Sequence, residues 1–141
     1  MTKIKFFHPV EVRYGDLDPQ GHLNNAKYLT YFEQARVAYL VNLKLFEKSL
    51  SFLEIGMIIA DVHLVFYKPV LWETPVMVGA AITKIGNKSF VFSQKIVHAE
   101  TGDVFAEGEI IMVAFDYHRE KTISLPAEWR EKIKVFEGKN L

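Results

Sequence analysis

A chain of 141 residues, 50% hydrophobic and 24% charged, is long enough to bury a core of its own, and its 17 Lys+Arg against 17 Asp+Glu leave no net charge. That balance excludes a general basic field for a nucleic-acid backbone or an anionic membrane surface, and 13% aromatic residues exclude a disordered polymer. The absence of cysteine excludes a disulfide framework, a thiolate-bound zinc and a thiol nucleophile, and it makes the cytoplasm the expected compartment.

The chain's length makes one domain over 1–141 the expectation, and since no apolar run of signal-peptide length follows Met1 and none approaches the ~20 apolar residues of a membrane span, no targeting or spanning segment is expected. Residues 4–14 end in alternating Val10, Val12 and Tyr14, the pattern of a strand with one buried face. From Gly15 to Asn25 the pattern breaks, and Asp16–Asn25 consists largely of turn and cap formers: two Asp, a Pro, a Gly and two adjacent Asn. Ala26 to about Leu43 contains neither Gly nor Pro, and Asn24 or Asn25 can accept from its first free N–H groups, which predicts a long helix. Apolar residues occupy more than one stripe of that helix, so it is expected to be covered on most sides by a sheet or a second subunit.

Residues 44–61, with Gly56 before the apolar run Met57-Ile58-Ile59-Ala60, read as a short helix or a connection. A strand over Val62–Val70 and β-type runs at 74–85, 88–100 and 103–117 follow, joined by Gly86-Asn87 and Thr101-Gly102, and predict an antiparallel meander. Apolar residues on both faces of these strands leave one face for the helix and the other for a neighbouring subunit. Pro126 opens a short terminal helix within 125–133.

The densest polar constellation is Asp16, Asp18, Gln20, His22, Asn24 and Asn25, immediately before the long helix. A helix start presents unpaired N–H groups and the positive end of a macrodipole, which stabilise a developing oxyanion, and a carboxylate beside it can serve as base or nucleophile. The same residue types also build ordinary turns without chemistry, and both readings stand at this point. Asp-x-Asp with a single nearby His lacks the ligand spacing of a metal site, so neither metal nor cofactor is expected. His8, His63, His98 and His118 are scattered singly; Ser89 and Ser93 lack a Gly-x-Ser-x-Gly elbow; no phosphate-cradling glycine loop occurs. Glu33 and Arg36, three apart on the helix, are expected to form an ion pair. Lys84, Lys88 and Lys95 flank a hairpin, where they are either solvated or positioned to meet a phosphate.

The stretch Val12-Arg13-Tyr14-Gly15-Asp16-Leu17-Asp18-Pro19-Gln20-Gly21-His22-Leu23-Asn24-Asn25-Ala26-Lys27-Tyr28-Leu29-Thr30-Tyr31-Phe32-Glu33-Gln34-Ala35-Arg36 closely resembles the signature of hot-dog-fold acyl-CoA thioesterases of the 4-hydroxybenzoyl-CoA thioesterase type. The resemblance implies an α+β hot-dog fold: a long central helix wrapped by a curved antiparallel sheet, paired into homodimers or homotetramers with active sites at subunit interfaces. It implies Asp18 as the catalytic carboxylate, the backbone N–H of Asn25 as the group that polarises the thioester carbonyl, and His22 as an assisting residue; Asp16 matches a position less regularly functional. Asn24, Tyr28, Lys88 and Ser89 are the substrate-binding candidates: Tyr28, with Phe32, Phe66, Phe90 and Phe92, for a fatty or aromatic acyl group, and the hairpin Lys84–Ser89 for the phosphates of coenzyme A. The expected activity is hydrolysis of acyl-CoA, with fatty acyl favoured; the rival is a non-hydrolytic acyl-CoA or acyl-carrier-protein binding module on the same fold.

Overall fold

The structure, a computed structural model, describes residues 3–47, 56–138 and 141. In chain order it contains β1 (Phe6–Val10), a 3₁₀ turn at Tyr14–Asp16, α1 (Asn25–Asn42), β2 (Met57–Phe66), β3 (Val76–Ile85), β4 (Ser89–His98), β5 (Val104–Asp116), β6 (Lys121–Thr122) and α2 (Ala127–Glu137). The strands make one antiparallel sheet in the order β1-β3-β4-β5-β2, with β6 added to β5. This is the expected α+β architecture of a long helix against an antiparallel sheet.

Local chemistry accounts for both ends of α1. Asn24 has an extended backbone, and its side-chain oxygen accepts the Ala26 N–H at 2.9 Å, closing one of the free donors of the first turn. At the other end Lys44 takes a left-handed φ of 61°, while the Leu45 N–H returns to the Leu40 carbonyl at 2.9 Å. Between the caps, Tyr28, Tyr31, Phe32, Ala35, Tyr39 and Leu40 are buried against the sheet.

Alternation in β4 puts Phe90, Phe92, Gln94 and Ile96 under the helix, with Ile110 and Ala106 of β5 beside them. Gly108 makes room for the Leu64 side chain of the neighbouring β2 rather than for α1. A Cβ there would come within 2.7 Å of Leu64 Cδ2 and 3.4 Å of Phe32 Cε2.

Several expectations are corrected. The first strand ends at Val10, and Tyr14 stands exposed in the 3₁₀ turn rather than on a buried face. Residues 57–61 are strand, not helix or connection, so the strand expected over 62–70 begins at Met57 and ends at Phe66; positions 48–55 lie outside the described residues. Only β3, β4 and β5 form a meander. β2 precedes them in sequence yet pairs with β5 at the far edge. The expected Glu33–Arg36 ion pair does not form: Arg36 turns inward and donates to Gln94 Oε1 at 3.0 Å, while Glu33 is exposed. Cover on α1 is one-sided within the chain, since Leu29 and Val37 face outward. Among the described residues, no helix is long and apolar enough to cross a membrane.

Candidate active site

The loop between the 3₁₀ turn and α1 folds back on itself. The Leu17–Leu23 bridge, Asp18 N–H to the His22 carbonyl (2.8 Å) and Asn24 N–H to the Asp16 carbonyl (2.9 Å) close it. At the tip, Pro19 follows Asp18, and Gly21 donates to the Asp18 carbonyl at 3.0 Å with a φ of +82°, a conformation that favours glycine. The segment after β2 then docks on the loop through Leu23 N–H to the Val70 carbonyl (2.8 Å) and a His22–Leu71 bridge.

This construction gives the two acids different fates. Asp16 is 1% exposed; its Oδ2 accepts from Tyr31 Oη at 2.7 Å and from the Arg13 backbone N–H at 3.2 Å, and its Oδ1 accepts from Arg13 Nη2 at 3.1 Å. Burial pushes its carboxyl up, but the hydrogen bonds from Arg13 and Tyr31 outweigh that, and the group titrates below the usual carboxylate range. Such a fully engaged carboxylate is a structural anchor. Asp18 is half-buried. Its Oδ1 accepts the Gln20 and His22 N–H groups at 2.9 and 3.3 Å, and its Oδ2 has no hydrogen-bond partner among the described residues.

Asp18, His22, Asn25 and Tyr28 line one cleft of about 330 Å³, with Gln20, Phe66 and Lys68 completing its walls. The Tyr28 and Phe66 rings meet edge to face at 4.8 Å. Burial, and secondarily the Asp18 charge, raise the Tyr28 hydroxyl above its ordinary range against a lowering contact from the Val70 backbone. Asn25 is the first residue of α1, and its N–H has no acceptor among the described residues, so it stands free at the positive end of the helix.

Residues 12–133 match the Thioesterase-like superfamily. The chain belongs to that superfamily. Among curated relatives, the long-chain acyl-CoA thioesterase FadM of Escherichia coli K12 is 28% identical over 124 residues, 88% of this chain and 93% of FadM. The acyl-CoA thioester hydrolase YbgC of Escherichia coli O6:H1 is 28% identical over 126 residues, 89% of this chain and 93% of YbgC. A thioesterase from Thermus thermophilus, solved with coenzyme A and Zn, shares 28% identity and superimposes with a TM-score of 0.85, covering 100% of both chains. The fold of this thioesterase-like chain is therefore the hot-dog fold.

Within one thioesterase-like chain the predicted site residues fall into two groups. Asp18, His22, Asn25 and Tyr28 converge on the cleft, and Asn24 caps the helix beneath it. Lys88 and Ser89 do not join them: they sit at the start of β4, whereas the cleft's Phe66 is in register with Ala106 and Ile96, about 24 Å further along that strand. Phe32, Phe90 and Phe92 are core residues, so of the five aromatics expected there only Tyr28 and Phe66 line the cleft, and Tyr67 joins them. Sequence reasoning missed Lys68, whose Nζ pairs with Asp103 at 3.2 Å on the cleft's rim, and Tyr31, the partner of Asp16. Pro69 directly after Lys68 was the available signal that β2 ends at the site. Among the described residues, no group of three or more His, Cys, Asp and Glu side chains could hold a metal ion.

Proposed function

We propose that this chain hydrolyses acyl-CoA thioesters to the free acid and coenzyme A, with fatty acyl groups as substrates and Asp18 as the base. The observation that carries the reading is the division of labour in Asp18: one oxygen is tied to loop N–H groups while the other is unengaged, in a cleft that also holds a helix start. The names of FadM and YbgC support the substrate class, and "long-chain" in the first supports a fatty acyl group lying along Tyr28 and Phe66.

In this mechanism Asp18 Oδ2 removes a proton from a water molecule as the water oxygen bonds to the thioester carbon. The carbonyl oxygen gains negative charge and is held by the Asn25 N–H at the positive end of α1. The C–S bond then breaks, and the departing thiolate takes back the proton, directly or through His22. Asn24 acts by fixing the helix start. Lys88 and Ser89 serve the coenzyme A phosphates as part of a homo-oligomer, in the cytoplasmic setting expected from the sequence. The test is release of free thiol from a panel of acyl-CoA substrates of different chain length. Turnover on long-chain substrates supports the reading, whereas stoichiometric binding with no thiol released identifies a binding module.

A further inference from the structure

We propose that the Tyr28 hydroxyl is a catalytic group of this site, a second hydrogen-bond donor that joins the Asn25 N–H on the carbonyl oxygen while the thioester is attacked. The inference rests on the proposed function and gives the ring that walls the cleft a part in the chemistry.

The backbone at the helix start supplies too few donors for an oxyanion. The Ala26 N–H is taken by Asn24 Oδ1 at 2.9 Å and the Lys27 N–H by the Asn24 carbonyl at 2.8 Å, so of the first three helical N–H groups only that of Asn25 is left. A tetrahedral oxyanion carries a full charge and several lone pairs, and in a site that excludes water one donor leaves most of them unmet. The second donor must come from a side chain.

Among the side chains of the cleft, Tyr28 fits that requirement best. Gln20, Asn25 and Tyr67 are exposed, Lys68 is paired with Asp103 at 3.2 Å, and His22 stands on the route of the proton to the thiolate. Tyr28 is 2% exposed, and its ring is fixed edge to face against Phe66 at 4.8 Å. It lies three residues after Asn25 on α1, and helical side chains lean toward the helix N-terminus, which brings the phenol to the cleft that Asp18 and Asn25 also line. Among the described residues the hydroxyl donates to no group, yet no buried side-chain oxygen there lacks a partner, so this hydroxyl opens onto the cleft. The Val70 backbone contact favours the charged form, as an N–H toward the phenol oxygen does, and leaves the proton uncommitted. Burial, and after it the Asp18 charge, keep that proton on the phenol. A buried donor held in place needs no reorganisation when charge develops.

Tyr28 donates a hydrogen bond and transfers no proton. As the water oxygen bonds to the thioester carbon and Asp18 takes the water's proton, the electron pair of the C=O bond moves onto the carbonyl oxygen, which accepts from the Asn25 N–H and the Tyr28 O–H. When the C–S bond breaks, that pair re-forms the carbonyl, the thiolate departs with the C–S pair, and the phenol is unchanged.

Tyr28→Phe keeps the ring and its contact with Phe66 and removes only the oxygen. On the best acyl-CoA, kcat is expected to fall about 10²-fold with KM little changed, the pattern of a bond made in the transition state. A ring that serves only as a wall predicts turnover near wild type. Two unreactive analogues separate the chemistry from a displaced Val70 segment: a trifluoromethyl ketone analogue of acyl-CoA, which adds water to give a tetrahedral carbon, and a thioether analogue with CH₂ in place of the carbonyl. Tyr28→Phe is expected to weaken the ketone at least about tenfold and the thioether by less than about twofold. Equal weakening of both, or a kcat near wild type, overturns the inference while leaving hydrolysis by Asp18 standing. A wild-type protein that releases no thiol from any acyl-CoA overturns the functional reading and this inference together.

Discussion

Replacing Asp16 by Asn should cost stability rather than chemistry. The Tyr31 hydroxyl is buried and donates to Asp16 Oδ2 at 2.7 Å, with the Glu11 carbonyl at 3.3 Å as its only other acceptor among the described residues. A bond to a charged acceptor contributes about 1.5–3 kcal/mol and one to a neutral acceptor about 1 kcal/mol, so the carboxamide forfeits about 1–2 kcal/mol. The Arg13 contact adds little, because that side chain is 67% exposed and its pairing is screened. For a chain of this size the loss lowers Tm by about 3–8 °C. Because the Asp16 pKa is lowered in the folded state, its contribution is complete above the unfolded value of about 4 and disappears as pH falls through the folded value. The gap between wild type and Asp16→Asn should therefore be full at pH 7 and close in acid. Tyr31→Phe should cost a similar amount, and the double variant less than the sum. Thermal melts across pH check this; a variant as stable as wild type at pH 7, or one that loses turnover in proportion to an Asp18 variant, would refute the reasoning.

Glu137→Ala should destabilise the protein by about 1–3 kcal/mol, since its carboxylate accepts both the Tyr39 hydroxyl (2.5 Å) and the Ile82 N–H (3.0 Å) and latches α2 onto the edge of β3; urea unfolding measures it. Gly108→Ala should cost about 1–3 kcal/mol by displacing the Leu64 side chain from its seat, read from the same titration. Lys88→Ala should raise KM for acyl-CoA several-fold, on the order of 1 kcal/mol, with kcat little changed and with no effect on a truncated acyl-pantetheine, because a screened phosphate contact is lost together with only a long, exposed hydrogen bond to Thr122.

Elements defined by local chemistry were legible in the sequence. Asn24 before a Gly- and Pro-free stretch located α1, and Gly86-Asn87 and Thr101-Gly102 located the turns of β3–β5, because caps and tight turns are decided within a few residues. The Asp18–Asn25 half of the candidate site was legible for the same reason. Contacts made across the fold were not. Met57–Ala60 has no periodicity that separates helix from strand, and only pairing with residues 112–114 of β5 makes it an edge strand. Helical spacing pairs Arg36 with Glu33, three residues away, whereas its acceptor Gln94 lies on β4, and Gln94 in turn donates to the Phe32 carbonyl at 2.9 Å. Asp16 looked like the lesser of two acids, and only its burial against Tyr31 explains why the sequence holds two.

The most direct test of the central claim is kcat of Asp18→Asn on the best long-chain acyl-CoA, compared with wild type at equal folded concentration. The carboxamide retains an oxygen for the Gln20 and His22 N–H groups, so the loop is preserved while the group that takes the proton is removed. The account predicts a fall of at least ~10²-fold with KM little changed. A variant that turns over at a rate near wild type would contradict it.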